Sequence, residues 1–547
     1  MKKLRLALLG RDVSLSDSEK IHRFILGKMG TECDYEKVSV PETEFCRAVE
    51  RLLNETDGFN VTIPYKRSIF PYLKSIKGDA AAYGSVNTVV SAEKAGYNTD
   101  GKGFLLMLEG AGITVRGKSV LVLGAGGAGF PTHVKINCKA EFVLANGAEC
   151  EPLLRVDQQV MQYFAADVVR GIRAVKEFTG AKRAVICLKE HYHAAVAALQ
   201  EVLKDADDVE LHLLQGYYPA GDEQQIVYEV TGRVVPTGGL PLDVGAVVCN
   251  VSTLTNIAAA LDGKKVTEKY VTVGGAVKNP VTLRVPVGIS LQELMDAAGG
   301  PTCDCKYIIG GPCMGRVVDT LDIPVTKTTG GLLAIPKDHP LLERKSPKLN
   351  LQLIMSVCCQ CSMCTQMCPR NALGLNVQPH KAMRSLASGG DLLGEFNGIF
   401  SCCNCGLCTY YACNFGLKPS QVMQTLKSAI ASKGVRPRKE VYGPVDGGLE
   451  NKKVPVERLI ARLGIAEYDV PAPMAEKPLT TSCVRIALRM GVGAPSVPVV
   501  AVGDKVRKNQ LVADIAEKKL GVKMHASISG VVTDITADYI EIRKAAK

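Results

Sequence analysis

The sequence predicts a multidomain protein of mixed α/β and α+β class, and three observations lead to this prediction. The chain has 547 residues, and at about 150 residues per domain this length suggests three or four domains. Strand, helix and turn signals alternate from residue 1 to residue 129, beginning with a predicted strand at 4–10 and a predicted amphipathic helix at 18–30, as expected for an α/β domain. Ten of the 20 cysteines lie between Cys358 and Cys413, and such a cluster in a large chain favours a metal site over a disulfide framework.

The composition is that of an ordinary globular protein, with 46% apolar and 22% charged residues. Trp is absent and aromatic residues make up 5%, so a surface for stacking nucleic-acid bases would be sparsely equipped. The net charge of +11 is spread along the chain and is densest at residues 433–453, where a solvated linker is favoured because no nucleic-acid recognition motif accompanies it. The sequence contains no run of 18 apolar residues, so it predicts no transmembrane segment. We expect a cytoplasmic protein.

Three polar clusters lie on predicted loops at strand ends near the N-terminus. They are residues 16–18 (SDS), residues 58–66 (GFNVTIPYK), and residues 84–88 (GSVNT) together with residues 96–100 (GYNTD). Asn, Thr, Lys and Asp at strand ends suit recognition of a polyhydroxylated acid, and a Lys near an Asp can move a proton. Ordinary turn chemistry favours the same residue types.

These clusters resemble the substrate domain of shikimate dehydrogenase over about residues 1–129. The resemblance implies that Ser16 and Ser18 hold the substrate carboxylate and that Lys66 and Asp100 form the catalytic pair. It further implies substrate hydroxyl contacts from Asn60, Thr62, Asn87 and Asp100. Glu19 and Leu15 depart from the proline and histidine usual in that family.

A predicted strand then runs into the glycine loop Gly124–Gly129, which has the GxGxxG spacing of a dinucleotide site. Phe130-Pro131 follows directly, and proline would interrupt the helix that should cradle the pyrophosphate. The usual NADP half of shikimate dehydrogenase is not recognisable, so we expect substrate binding without turnover. Such a glycine loop occurs both in shikimate dehydrogenases and in the family that the following residues resemble. The junction between the two parts at this loop is therefore explained either by a genuine fusion or by a recombination or assembly product.

The loop GAGGAGFPTHVK resembles the flavin loop of the NADH-binding flavoprotein of respiratory complex I. The resemblance extends from about Gly124 to the C-terminus, and it includes the RnfC proteins of Rnf-type electron-transport complexes and the corrin reductases of propanediol metabolism. Three further motifs follow in order: NGAECEP at 146–152, YPAGDE at 218–223 and NVSTLTN at 250–256. The resemblance implies flavin contacts from Gly126, Gly127, Lys135, Asn146, Asn250 and Thr253, and nicotinamide-nucleotide contacts from Phe130, Glu151 and Glu223. It implies further cofactor contacts from Gly129 and Glu149.

Two β-rich modules of the same family are also recognisable. Short β-runs before one helix resemble the β-grasp module known as SLBB, placed at 263–315. From about residue 471, Pro/Gly turns separate short β-runs that resemble a barrel-sandwich module at 471–547. The remaining predicted domains are 1–123 (shikimate dehydrogenase-like), 124–262 (FMN and NADH) and 350–432 (iron–sulfur), with a linker at 433–470.

The cysteine spacing in the remaining segment is that of a two-cluster ferredoxin. Cys358, Cys361, Cys364 and Cys368 have the C-x2-C-x2-C-x3-C-P spacing. Cys402, Cys405, Cys408 and Cys413 repeat it with one extra residue at the last step. Because the fourth cysteine of each run serves the other cluster in two-cluster ferredoxins, we assign Cys358, Cys361, Cys364 and Cys413 to one [4Fe–4S] cluster and Cys402, Cys405, Cys408 and Cys368 to the other. Zinc is the alternative metal.

The sequence therefore predicts an enzyme that passes electrons from NADH, or NADPH in its place, through FMN and two [4Fe–4S] clusters. The expected acceptor is a partner protein or a corrin, with a membrane electron-transport complex or microcompartment proteins as further partners and no nucleic acid. Two alternatives stay open. One is a bifunctional or vestigial shikimate dehydrogenase fused to this oxidoreductase, and the other is an electron-wire or scaffold protein without catalysis.

Overall fold

A computed structural model describes residues 3–14, 16–62, 64–78, 80–81, 85–99, 132–388, 396–516 and 519–544. The chain divides into two compact units, Met1–Val120 and Leu121–Lys547, which are treated separately. Within the described ranges, no helix is both long and apolar enough to cross a membrane.

The first unit is built on one six-stranded mixed sheet. Its strands are β1 (Leu4–Gly10), β2 (Cys33–Ser39), β3 (Gly58–Val61), β4 (Ser75–Ile76), β5 (Thr88–Val90) and β6 (Ala95–Tyr97). They are ordered β2-β1-β3-β5-β6-β4, and β1 pairs in parallel with β2 and β3. The helices are Ser18–Lys28 and Phe45–Glu55, with 3-10 turns at Glu42–Glu44 and Phe70–Tyr72.

The two helices of this unit differ in how they pack. Helix Phe45–Glu55 buries Phe45, Ala48, Val49 and Leu52, the i, i+3, i+4, i+7 spacing of one apolar face. Helix Ser18–Lys28 forms where its amphipathic pattern predicted a helix, but none of its residues is buried. The strand predicted at residues 4–10 is confirmed as β1.

The second unit begins with a four-stranded parallel sheet. Its strands are β7 (Phe142–Asn146), β8 (Arg183–Lys189), β9 (Glu210–Leu214) and β11 (Ala246–Asn250), and the short β10 (Tyr217–Tyr218) lies apart. The sheet order is β11-β7-β8-β9. The helices around it are Thr132–Lys135, Val156–Tyr163, Ala165–Thr179, His193–Leu203, Glu223–Thr231 and Val251–Leu261, with a 3-10 turn at Pro241–Val244.

Two of these helices pack closely because of a glycine. A Cβ atom at Gly171 would lie 2.1 Å from the backbone oxygen of Leu254, so helices Ala165–Thr179 and Val251–Leu261 meet backbone to backbone at this position. The contact places the start of the second helix, just after β11, against the parallel sheet. The carboxyl end of β11 is held there, and ligands bind at this end in open parallel sheets.

A five-stranded sheet follows. Its strands are β12 (Glu268–Gly275), β13 (Val281–Pro286), β14 (Cys305–Ile309), β15 (Arg316–Val318) and β16 (Gly331–Pro336), in the order β13-β12-β16-β14-β15. Helix Leu291–Ala297 begins at a capping box of Ser290 and Glu293, and helix Pro340–Lys345 follows β16. The sheet extends past the predicted module boundary at residue 315, because β16 pairs with both β12 and β14.

The cysteine-rich segment is helical. Its helices are Leu351–Val357, Met363–Gln366, Pro369–Ala372, Pro379–Ser388, Phe396–Phe400 and Pro419–Ser432, with a π-helical turn at Cys408–Ala412. The chain then forms β17 (Val454–Pro455) and helix Val456–Leu463, with 3-10 turns at Leu449–Lys452 and Ala466–Tyr468. The C-terminal module has two sheets, β18-β24-β23-β20 and β19-β21-β22. Its strands are β18 (Cys483–Ala487), β19 (Val497–Pro498), β20 (Lys505–Val506), β21 (Leu511–Asp514), β22 (Met524–His525), β23 (Gly530–Ile535) and β24 (Tyr539–Arg543).

The segment predicted as a linker at 433–470 contains two packed elements in its second half. Strand β17 pairs with β10 of the flavin-like region, and helix Val456–Leu463 buries Leu459, Ile460 and Leu463. The apolar spacing of this helix is regular, but it is only eight residues long and lies beside a basic stretch. Because the neighbouring residues are charged, the sequence pattern did not predict this packed helix.

Candidate functional site

A cavity of about 450 Å³ lies at the carboxyl ends of β7 and β11. This volume falls within the range of small-molecule sites, and the place is where open parallel sheets bind ligands. Six predicted cofactor contacts line it: the flavin contacts Lys135, Asn146, Asn250 and Thr253, the nicotinamide contact Glu223, and Glu149. The remaining predicted contacts Gly126, Gly127, Gly129 and Phe130 lie outside the described residues.

Two asparagines at the strand ends hold the loops that form the cavity walls. Asn146 and Asn250 are register partners in the β7–β11 pair. The Asn146 Nδ2 donates to the Gly221 oxygen at 2.8 Å, and this hydrogen bond connects the 218–223 loop to β7. The Asn250 Oδ1 accepts from the Ser252 N–H at 2.9 Å and caps the following helix. Its Nδ2 donates to the Asp157 Oδ2 at 2.8 Å.

Two carboxyl groups meet on one side of the cavity. The Asp157 N–H donates to the Glu149 Oε2 at 2.9 Å. Burial first, and then the neighbouring Asp157, raise the pKa of Glu149 to about 8. Burial also raises the pKa of Asp157. Lys269 on β12 lines the same cavity, and burial lowers its pKa. Sequence reasoning missed Asp157 and Lys269, because neither stands in a recognisable motif and Lys269 arrives from the next module.

Glu149 makes the stability of the holoprotein depend on pH. Its folded-state pKa is raised, so the folded chain retains a proton that the unfolded chain loses, and stability falls as pH rises from about 4.5 to about 8. We expect Glu149→Gln, which keeps the acceptor for the Asp157 N–H, to be more stable than the parent at pH 8 by roughly 1–4 kcal/mol. At pH 5 the two should differ little. The measurement is the thermal midpoint at both pH values.

The control for this prediction is Glu201→Gln. Glu201 pairs with Lys204 on the surface, where its side chain is 72% exposed, so its replacement should change stability equally little at both pH values. A stability gain for Glu149→Gln that is the same at pH 5 and pH 8 would show that the gain does not arise from the proton.

Lys135 and Glu223 form an ion pair at the mouth of the cavity. The Lys135 Nζ lies 2.7 Å from the Glu223 Oε1, and both side chains are partly exposed. Lys135 ends the short helix Thr132–Lys135, and Glu223 begins helix Glu223–Thr231. A phosphate entering here would compete with the Glu223 carboxylate for the same ammonium group.

The structure does not place Glu151 on this cavity. Its Oε2 accepts from the Cys313 N–H at 2.8 Å, and its Oε1 accepts from the Met314 N–H at 3.1 Å. The Tyr218 hydroxyl lies 3.1 Å from the same Oε1 and 2.6 Å from the Cys405 oxygen. Glu151 therefore joins the flavin-like region to the five-stranded module, and it lines a second cavity on the other side of the 146–152 loop.

The cysteines form two groups in the predicted combination. Burial raises the pKa of Cys364 to about 12, and the next contributions come from the thiols of Cys413, Cys358 and Cys361. These four side chains line one small cavity. Burial also raises the pKa of Cys408, with further contributions from Cys402 and Cys368, and the thiols nearest Cys405 include Cys368 and Cys408.

The backbone repeats between the two cysteine runs. Gln360 and Ser362 follow Cys358 with φ of +57° and +58°, and Asn404 and Gly406 follow Cys402 with φ of +58° and +77°. Left-handed φ is costly for residues other than glycine, so its recurrence at equivalent positions indicates that both loops are bent to turn successive thiols inward. Four thiols around a shared centre fit the donor set of a [4Fe–4S] cluster.

The extra residue of the second run is absorbed locally. The first run reaches Cys368 through the α-helical turn Met363–Gln366, whereas the second reaches Cys413 through the π-helical turn Cys408–Ala412. A π turn accommodates one more residue than an α turn, and such turns are frequent at functional sites. No three His, Cys, Asp or Glu side chains in the described part of the chain are gathered closely enough to hold a single metal ion.

The cavity and the second cysteine group adjoin. Cys403 and Cys405 line the cavity together with Asp222. Arg370, two residues after Cys368, binds Asp222 through two hydrogen bonds of 2.6 and 2.5 Å. The cavity that gathers the predicted flavin contacts therefore opens onto the predicted iron–sulfur ligands. Cys359 is exposed and Cys403 is partly buried, and neither is among the predicted ligands.

The first unit brings three of its predicted site residues together near the carboxyl end of β3. Asn60 in β3 donates from its Nδ2 to the Asn87 oxygen at 3.4 Å, and Val86 donates its N–H to the Lys66 oxygen at 2.8 Å. Ser16 and Ser18 are linked by a 3.0 Å hydrogen bond between their hydroxyls, and Thr62 follows β3 directly. Asp100 lies outside the described residues.

Comparison with known proteins decides the family. A cobalamin reductase PduS from Salmonella typhimurium is 42% identical over 438 residues, which cover 79% of this chain and 96% of that protein. The chain belongs to the PduS cobalamin reductase family. An RnfC-type relative, from the Na⁺-translocating ferredoxin:NAD⁺ oxidoreductase complex of Acetobacterium woodii, is 35% identical over 47% of this chain and 57% of that protein.

The family assignment is matched by domain profiles along the chain. They are the Nuo51 FMN-binding domain at 118–259, the SLBB domain at 270–316, the 4Fe-4S dicluster domain at 357–418, the RnfC barrel sandwich hybrid domain at 471–546, and the shikimate dehydrogenase substrate binding domain at 8–89. Among solved structures, an NAD⁺-reducing [NiFe]-hydrogenase is 19% identical with a TM-score of 0.36, covering 66% of this chain and 67% of that one.

These matches confirm the predicted multidomain fold class and the predicted cofactors, FMN, NADH and [4Fe–4S] clusters. They also confirm that the chain is an electron-transfer oxidoreductase. The roles of individual site residues remain predictions.

Proposed function

We propose that this chain takes electrons from NADH at an FMN held in the 450 Å³ cavity and passes them through two [4Fe–4S] clusters to a corrin. One observation carries the proposal. The cavity that gathers Lys135, Asn146, Asn250 and Thr253 is also lined by Cys405, so flavin and one cluster would be neighbours.

The arrangement of thiols supports an order for the two clusters. The group of Cys368, Cys402, Cys405 and Cys408 adjoins the cavity and would receive electrons first. Cys364 of the other group is among the thiols that act on Cys408, so the two groups are close. Cys361 is exposed, so the group of Cys358, Cys361, Cys364 and Cys413 would lie near the surface, where an acceptor could approach.

The residues of the cavity support binding of a flavin nucleotide. Lys135 would offer its ammonium group to the phosphate, and the glycine loop 124–129 would offer backbone N–H groups. Asn146 and Asn250 would keep the 146–152 loop, the 218–223 loop and helix Val251–Leu261 at the spacing that the ring requires. Bound flavin accepts two electrons from the nicotinamide and releases them singly.

Anaerobic mixing of the purified protein with NADH tests the first half of the proposal. We expect the flavin and iron–sulfur absorbance to bleach together. Lys135→Met should weaken FMN binding by roughly 10- to 150-fold, since a charge-assisted hydrogen bond to an ion contributes about 1.5–3 kcal/mol. Lys204→Met, which removes a surface lysine paired with Glu201, is the matched control. Protein with full iron and FMN content that does not bleach with NADH would contradict the proposal.

The corrin acceptor is proposed because the PduS relative is named a cobalamin reductase. We expect NADH-dependent reduction of aquacobalamin by the purified chain, followed by its absorbance. Residence in a propanediol-utilisation microcompartment or at a membrane electron-transport complex is part of the same proposal, and co-purification from cells distinguishes the two. Lower rates with other acceptors that take electrons from the clusters would support the corrin assignment, and equal rates with such acceptors would contradict it.

A second function is proposed for the first unit, which matches the shikimate dehydrogenase substrate binding domain. Asn60 and Asn87 lie side by side near the carboxyl end of β3, a placement that suits a polyhydroxylated acid. We expect the full chain to bind shikimate in calorimetry, Asn87→Ala to weaken that binding, and shikimate to cause no NADPH formation. Lys66-dependent formation of NADPH would show instead that the chain is bifunctional.

A further inference from the structure

A buried ion pair lies where the cavity meets the group of Cys368, Cys402, Cys405 and Cys408. The Arg370 guanidinium binds both carboxylate oxygens of Asp222, at 2.6 and 2.5 Å. The two side chains are only 11% and 8% exposed. Asp222 lines the cavity, whereas Arg370 follows Cys368-Pro369, so the pair connects the two sites.

A second cation lies on the cysteine side of this pair. The Arg370 Nη1 donates to the Ser401 oxygen at 3.3 Å, and its charge acts on the thiols of Cys403 and Cys402. The Lys427 Nζ donates to the Cys402 oxygen at 2.9 Å. Two positive charges and one negative charge therefore surround the first residues of the second run.

The first cysteine run carries no charged side chain in its own segment, and the His380 imidazole lines its cavity. From Asn350 to Cys368 the sequence contains no Asp, Glu, Lys, Arg or His. A buried ion pair is weak evidence for stability, because its desolvation offsets much of its attraction. We therefore consider the electrostatic effect of the Arg370–Asp222 pair on the nearby cysteine group.

This effect depends on the charge of a cluster. Reduction adds one negative charge, so a cation close to the cluster favours the reduced form and raises the reduction potential, and an anion lowers it. Because the pair is shielded from solvent, salt screens this effect only weakly.

We propose that Arg370, Lys427 and Asp222 set the reduction potential of the cluster beside the cavity and thereby make it the first acceptor of electrons from the flavin. The proposal rests on the proposed function for the assignment of that cluster to Cys368, Cys402, Cys405 and Cys408.

Redox titration of the iron-loaded protein tests the proposal without using NADH. Dithionite with mediators reduces the clusters, and electron paramagnetic resonance follows each of them. We expect Arg370→Gln to shift the midpoint potential of one cluster to lower values, Lys427→Met to shift the same cluster in the same direction, and Asp222→Asn to shift it to higher values. The other cluster should move less in all three variants. Arg370→Lys, which keeps the charge, should restore most of the parent value.

The matched control is Arg170→Gln. Arg170 makes an equivalent two-bond pair with Asp262, at 2.8 and 2.5 Å, on the surface of helix Ala165–Thr179. Its loss should leave both potentials unchanged. Equal or absent shifts in Asp222→Asn and Lys427→Met, with clusters retained, would overturn the proposal even if Arg370→Gln fails to fold. Absence of two [4Fe–4S] signals in the parent protein would instead contradict the proposed function.

Discussion

Replacing Cys405 by Ser should remove one cluster and stop electron delivery to the corrin. Cys405 is only 8% exposed and lines the cavity, so its group would be the first to receive electrons. We expect iron to fall from about eight to about four atoms per chain. NADH-driven reduction of aquacobalamin should be lost. Reduction of ferricyanide, a small acceptor that can take electrons at the flavin, should persist.

The matched control is Cys359→Ser. Cys359 is exposed and is not a predicted ligand, although it lines the same small cavity as the ligands of the first cluster, so the variant should keep its iron and its corrin reduction. Retention of about eight iron atoms in Cys405→Ser would contradict the ligand assignment.

Double variants test the exchange of the fourth ligand. Cys361 and Cys413 are assigned to the same cluster, so Cys361→Ser with Cys413→Ser should still leave about four iron atoms. Cys361→Ser with Cys368→Ser should remove ligands from both clusters and leave almost none. Equal iron content in the two double variants would contradict the exchange.

Gly221→Ala should empty the flavin cavity. A Cβ atom there would lie 2.4 Å from the Ala148 oxygen, 2.8 Å from the Cys150 Sγ and 3.2 Å from the Asn146 Oδ1. The Gly221 N–H also donates to the Cys150 Sγ, so the 218–223 loop cannot retreat without losing that bond. Overpacking of this kind costs about 1–3 kcal/mol, which corresponds to roughly 10- to 100-fold weaker FMN binding if the loop closes on the cavity.

FMN content after gel filtration and the dissociation constant from fluorescence quenching provide the measurement. Gly447→Ala is the matched control, because a Cβ atom at Gly447 meets no atom within 4 Å. Its FMN binding should equal that of the parent. Unchanged FMN affinity in Gly221→Ala would show that the 218–223 loop is not a wall of the flavin site.

Local patterns in the sequence were sufficient to predict several structural elements. The apolar run at residues 4–10 became β1, since a short β-run flanked by charges has few other packed solutions. The two cysteine runs could be paired from their spacing, because thiols three residues apart on a bent loop face the same centre. The end-of-strand motifs at 146–152 and 250–256 indicated neighbours, and Asn146 and Asn250 are register partners.

Contacts between distant segments could not be predicted in this way. Glu151 stood in the same motif as Glu149, yet its carboxylate binds the backbone of Cys313 and Met314. Lys269 lines the cavity but belongs to the module at 263–315, which the sequence predicted as a separate domain. Helix Val456–Leu463 packs through three apolar residues in a segment expected to be a linker.

The sequence by itself determined the chemistry of this protein: a glycine loop, strand-end amides and eight thiolates in two spaced runs specify which groups are available. The tertiary structure alone decided that the cavity adjoins the Cys405 group and that Arg370 and Asp222, 148 residues apart, share two hydrogen bonds between them. Residue type and spacing act within a loop or one helical turn, whereas the distance between two sites depends on how whole sheets and helices pack. Electron transfer and charge tuning depend on that distance.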